Sequence, residues 1–243
     1  MSYHMTTAMS ESFTPVSPGR ISTAIVVQIR EAIRDGRLSL GDQLPPERDL
    51  TRELGASRVS VRDALRVLEA NGLVEVRVGA RGGAFVTAPA PVLVGEGIAD
   101  MLLLAAVTPA EVTEARIVFE LGMLPIACER ADSADLEALE HICDRADAVL
   151  ATGVYDVALS TEFHTRLAAC THNRAIALFA ESFRGALRNS LEQAQRVDPE
   201  MGRAGALEHR ALVDAIRARQ ASAARTIMAE HLGRTARRVA PKR

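Results

Sequence analysis

The chain has 243 residues, 48% hydrophobic and 25% charged, with a formal net charge of −2. This is globular rather than disordered composition, and the length allows two compact domains. The longest apolar run, Met101–Val107, falls far short of the roughly 18–20 residues a bilayer span needs. The first residues also lack the basic-then-apolar order of a signal peptide, so the expected location is the cytoplasm, with no membrane partner.

Residues 1–19 read as a disordered tail. Ile21, Ile25, Ile29 and Ile33 then recur every four residues, the spacing of an amphipathic helix, which Asp35-Gly36 stops. Pro45-Pro46 suits the entry to a second helix, with Leu50 and Leu54 facing inward and Gly55 ending it. Ser57 can cap a third helix that runs to about Ala70, where Asn71-Gly72 ends it. The period then falls to two. LVEVRV alternates as a half-exposed strand does, GARGG is a turn, and AFVTA returns as a second strand. Three helices and a two-stranded ribbon over residues 20–88 predict a winged helix-turn-helix.

Residues 88–96 read as a linker, and 89–107 as linker plus connecting helix. Thr108-Pro109-x-Glu111 predicts a capping box leading into a helix to about Ala131. Helices are expected near 134–151, 154–171, 174–196, 200–219 and 221–238. The fold class is therefore mainly α: a winged helix-turn-helix followed by an all-helical bundle of six or seven helices over residues 108–239. Cys128, Cys143 and Cys170 form no Cys-x-x-Cys pair and read as buried thiols. The one lysine, Lys242, leaves no interior amine for a Schiff base.

On the third helix, Val61, Ala64, Leu65 and Leu68 make the inward stripe. Arg58, Arg62 and Arg66 lie at i, i+4 and i+8 on the other side. Through residue 90 there are 11 arginines against 10 acidic residues, so the pointer is the gathering of charge on one face, not its sum. Such a helix fits the major groove of DNA, and an arginine fork matches guanine O6 and N7. Ser57 and Ser60 add hydroxyls, Arg48 adds a phosphate candidate, and Gly79, Arg81, Gly82 and Gly83 make a cationic tip suited to the backbone or minor groove. The segment GDQLPPERDLTRELGASRVSVRDALRVLEANGLVEVRVGARGGAFV resembles the DNA-binding domain of the GntR family of bacterial transcription regulators. The resemblance implies DNA contacts from Arg48, Ser57, Arg58, Val59, Arg62 and the wing at Gly79. Val59 stands where many relatives carry a hydroxyl, which points to contact with a thymine methyl.

The second half holds His141, His164, His172, His209 and His231. His164, His209 and His231 sit on three separate expected helices. Facing inward they would either be hydrogen-bonded core residues or offer nitrogen ligands to one divalent metal. Arg116 either pairs with Glu120 at i+4 or faces a pocket and grips a carboxylate with two hydrogen bonds. EARIVFELGMLPIA, EFHTRLAACTHN and LEHRALVDAIRARQASAARTIMAEHL together resemble the FCD ligand-binding domain of the FadR subfamily. That resemblance implies a metal (zinc, nickel or manganese) on the three histidines, and an effector on Arg116 with Asn173 lining the pocket or capping a helix. The usual fourth ligand, an aspartate one turn before the first histidine, is Ser160 here, so the site is either completed by water or a ligand carboxylate or metal-free. Together the two resemblances imply a ligand-responsive regulator, usually a repressor: a homodimer on an inverted-repeat double-stranded DNA operator, released by a small organic acid. A metal-dependent enzyme with an open three-histidine site is the rival reading, against which no positioned general base is evident. A DNA-binding protein without an effector is a further rival.

Overall fold

The computed structural model describes residues 19–79, 82–198 and 201–240. Except for Gly19, the expected tail lies outside the described residues, and so does Arg81. The chain divides into two compact units, Met1–Ala90 and Pro91–Arg243.

The first unit comprises α1 (Gly19–Arg34), α2 (Glu47–Leu54), α3 (Arg58–Ala70), β1 (Val74–Arg77) and β2 (Gly83–Val86). The expected boundaries hold for physical reasons. Ser57 Oγ accepts a hydrogen bond from Ser60 N at 3.1 Å and caps α3, satisfying a donor that the first helical turn leaves free. Gly55 ends α2 in the left-handed conformation, φ +60°, which glycine adopts without a Cβ clash. Ile25, Ile29, Leu50, Val61, Leu65 and Leu68 build one core beneath α3. β1 and β2 pair antiparallel, Val74 facing Val86 and Arg77 facing Gly83. A third segment, unannounced by any period, extends this ribbon: Leu44 N donates to Ala84 O at 2.8 Å and Gly41 N to Val86 O at 2.9 Å. At four residues ending in prolines, GDQL is too short to show an alternation.

The second unit comprises α4 (Pro91–Leu104), α5 (Pro109–Arg130), α6 (Ser133–Leu150), α7 (Val157–Ala169), α8 (Arg174–Ser182), α9 (Arg184–Val197), α10 (Gly202–Arg217) and α11 (Ala221–Val239). Seven of these described helices fall within residues 108–239. Two expectations change. The linker read over 88–96 is helical from Pro91, and α4 packs on α8 and α9. A Cβ on Gly95 would sit 3.1 Å from Ser182 O, so this glycine, inside the expected linker, permits a close helix crossing. The single helix expected over 174–196 breaks at Phe183, between α8 and α9.

Helix α5 passes through Pro125, whose missing N–H would leave Leu121 O without its helical donor. Arg225 Nη1 on α11 donates to that oxygen at 3.2 Å. The carbonyls at the end of α5 are likewise met from outside: Arg219 donates to Cys128 O at 2.6 Å and Ala131 O at 2.7 Å. The main core joins α5, α6, α7, α10 and α11 through Leu124, Leu139, Phe163, Leu212, Met228 and Leu232. The buried Asp135 carboxylate staples α6 to α7, accepting hydrogen bonds from Asp132 N, Arg166 Nη2 and His172 Nε2.

Candidate functional site

In the first unit, α3 buries its aliphatic stripe and leaves Arg58, Val59, Arg62 and Arg66 in solvent. Arg62 is 59% exposed, and its Nη2 donates to Glu47 Oε2 at 3.2 Å. An ion pair this open contributes little, which leaves the guanidinium available to a stronger acceptor. Arg48 is open to solvent, beside Asp49. Gly79 takes φ +110° with nothing near its Cβ position, and its carbonyl accepts from Gly82 N at 2.9 Å in the turn at the tip of the wing. Ser57 is exposed, but Ser60 is buried, its hydroxyl 2.9 Å from Ser57 Oγ. Ser60 thus belongs to the helix cap and does not stand on the exposed face expected of it. In the wing, Arg77 lies over the Phe85 ring, 4.4 Å from its centre.

The second unit is built the other way round. His164 on α7, His209 on α10 and His231 on α11 are all buried. One ring nitrogen of each lies within 4.8 Å of the others. Their helices bring them together across 67 residues: Phe163 stacks on the His209 ring at 4.0 Å, and the His231 ring lies 5.2 Å from that of His164 and 4.9 Å from that of His209. Glu120 Oε2 accepts from His164 Nδ1 at 2.6 Å, and Glu208 Oε2 accepts from His231 Nδ1 at 2.8 Å. These carboxylates fix the tautomers, leaving Nε2 of both rings with a lone pair. His209 Nε2 lies 3.2 Å from His164 Nε2, while His231 Nε2 is buried with no partner. Burial first, then the charge of Arg116, holds His164 well below its ordinary pKa. Burial and the neighbouring histidines do the same for His209. Burial also lowers His231, though Glu208 pulls it back. Three neutral, converging imidazoles with one orphaned nitrogen are a donor set that fits a divalent ion. Ser160 is buried one turn before His164 and offers no carboxylate.

Arg116 is buried and donates through Nε to Glu120 Oε1, while its Nη2 has no hydrogen-bond partner. Both alternatives for Arg116 therefore meet in one geometry: the ion pair exists, and it is internal. Arg116, Glu120 and His164 line a cavity of about 410 Å³ that is otherwise walled largely by Val112, Phe119, Phe179, Phe183 and Leu187. Asn173 is not among its lining residues; its Oδ1 caps α8, accepting from Ala175 N and Ile176 N. The Arg116–Glu120 spacing was visible in sequence. The bridge from Glu120 to His164, 44 residues on, and the phenylalanine wall were not, because neither leaves a local pattern.

Comparison with known proteins agrees with both units. Residues 21–86 match the model for bacterial regulatory proteins of the gntR family, and residues 111–234 match the FCD domain. The chain is 30% identical to the Uxu operon regulator of Haemophilus influenzae over 217 residues, 88% of this chain and 79% of that protein. It is 30% identical to the HTH-type transcriptional repressor NanR of Cronobacter sakazakii over 224 residues, 90% of this chain and 85% of that one. The solved structure of Streptococcus agalactiae GntR shares the fold, with a TM-score of 0.64 at 22% identity, covering 90% of this chain and 99% of that one. Among the described residues no helix is long and apolar enough to cross a membrane. With a winged reading head followed by an FCD ligand-binding domain, the architecture of the FadR subfamily, the chain belongs to the gntR family of bacterial DNA-binding transcription regulators.

Proposed function

We propose that this regulator is a repressor of a metabolic operon, released when a small organic acid enters the cavity beside Arg116. The observation that carries the reading is the buried Arg116 guanidinium, one nitrogen of which lacks a partner at the wall of a 410 Å³ cavity. A carboxylate would satisfy that donor. His164, His209 and His231 would hold one divalent ion (zinc, nickel or manganese), whose chemistry would be to anchor the same carboxylate as a Lewis acid. On the DNA side, Arg58 and Arg62 would read base edges and Val59 a thymine methyl. Arg48, Ser57 and the wing around Gly79 and Arg81 would hold phosphates. Two chains would present two heads to an inverted repeat. The acid acts by binding the released conformation more tightly than the DNA-bound one, and nothing in this scheme requires turnover.

Selection of duplexes from a random library on immobilised protein tests this reading. Enrichment of two-fold related half-sites, eluted by an organic acid that the protein binds, is the expected outcome. Retention of duplexes with no common motif, or of a motif that no bound acid elutes, would contradict it.

A further inference from the structure

The geometry points to an effector that is an amphipathic monocarboxylate: an acid head on Arg116, and an aromatic or branched hydrocarbon body rather than a hydroxylated one. The inference rests on the proposal that the cavity takes an organic acid, and adds what kind. The cavity offers few free polar atoms. Glu120 accepts from Arg116 with one oxygen and from His164 with the other. Thr165, also on the wall, donates its hydroxyl to Thr161 O at 2.9 Å. That leaves Arg116 Nη2 as the unpartnered buried donor among the polar lining.

The rest of the wall is hydrocarbon. The rings of Phe119 and Phe179 lie 4.8 Å apart, and those of Phe179 and Phe183 stack at 5.3 Å. Half of the six phenylalanines of the chain therefore line one cavity. The hydroxyls of a sugar acid would lose water there without finding partners. An aromatic body would add ring contacts of the kind already present. The volume equals roughly 14 water-sized groups at ~30 Å³ each, room for a phenylalkanoate. A divalent ion on the three histidines would leave the buried cluster net positive, because Glu120 balances only Arg116, and Glu208 balances only Arg234. An acid head is therefore favoured over a neutral or basic one.

Calorimetric titration of the full chain, supplied with zinc, tests the inference with two acids of similar size, phenylbutyrate and gluconate. Phenylbutyrate is expected to bind at least about tenfold more tightly than gluconate. Arg116→Lys, which keeps the charge but loses the fork, and Phe179→Ser, at a half-exposed ring, should each weaken phenylbutyrate by about tenfold. Tighter binding of gluconate, lost in Arg116→Lys, would overturn the hydrocarbon body while leaving the organic-acid reading standing. Phenylbutyrate binding that neither variant weakens would place the acid elsewhere and overturn the site. No binding of either acid would overturn this inference, while the organic-acid reading stands or falls separately on elution of the selected duplexes by an acid.

Discussion

In the N-terminal unit the arginines assigned to function stand in water: Arg48, Arg58 and Arg62 project from a fold whose core is made by other residues. In the C-terminal unit Arg116, Glu120, His164 and His209 form one hydrogen-bonded chain in the interior, beside His231 on its own partner Glu208, all flanked by the core. An exposed charge costs little to hold and can be removed without disturbing the fold. A buried one is held only by its partners, so binding and stability are linked there. The reading head should therefore tolerate functional substitutions that the sensor does not.

The largest effect is expected where that contrast is sharpest. Glu120→Ala removes the partner of both Arg116 and His164 and leaves a buried unpaired charge. It should destabilise the helical unit by about 3–5 kcal/mol, read by urea unfolding. A loss within ~0.5 kcal/mol would mean the cluster is not paired as described. Arg62→Ala should weaken specific DNA binding by about 1–3 kcal/mol while thermal unfolding stays unchanged. A change in stability instead would erase the distinction between the two units. Ser57→Ala removes the cap of α3 and should cost about 1 kcal/mol of stability in the reading head. This cost should appear in denaturant unfolding even without DNA.

A further way to sharpen the comparison is a pH slope carried by the buried triad. His164, His209 and His231 lie below the ordinary histidine value of 6.5 because burial opposes their charge. The unfolded chain therefore takes up protons near that pH before the folded one does. In chelator-treated protein, stability should be flat above it and fall as pH drops below it. Thermal unfolding between about pH 7.5 and 5.5 checks the sign, and a rise in stability on acidification would contradict the buried neutral triad.

What could be read from sequence follows the same division. The winged helix was legible because its signals are local: isoleucines every four residues, a serine cap, a glycine stop, then alternation. The pairing of Gly41 and Leu44 with β2 was not, since two prolines cut the strand short. In the sensor, the three histidines could be picked out on their helix faces, but the fixing of their tautomers by Glu120 and Glu208 depends on contacts between distant helices. Pro125 inside α5 and the helical start at Pro91 show local signals overridden by packing. One carbonyl is met by Arg225, and one glycine serves a helix crossing.

The most direct test of the link between the two units is fluorescence anisotropy on a selected duplex, titrated with the protein before and after saturation with a bound organic acid. Weaker DNA binding is expected once the acid is bound, together with an Arg116→Lys variant that binds the duplex as wild type does yet no longer responds to that acid. Equal DNA affinity with and without the acid in the wild-type chain would contradict that link.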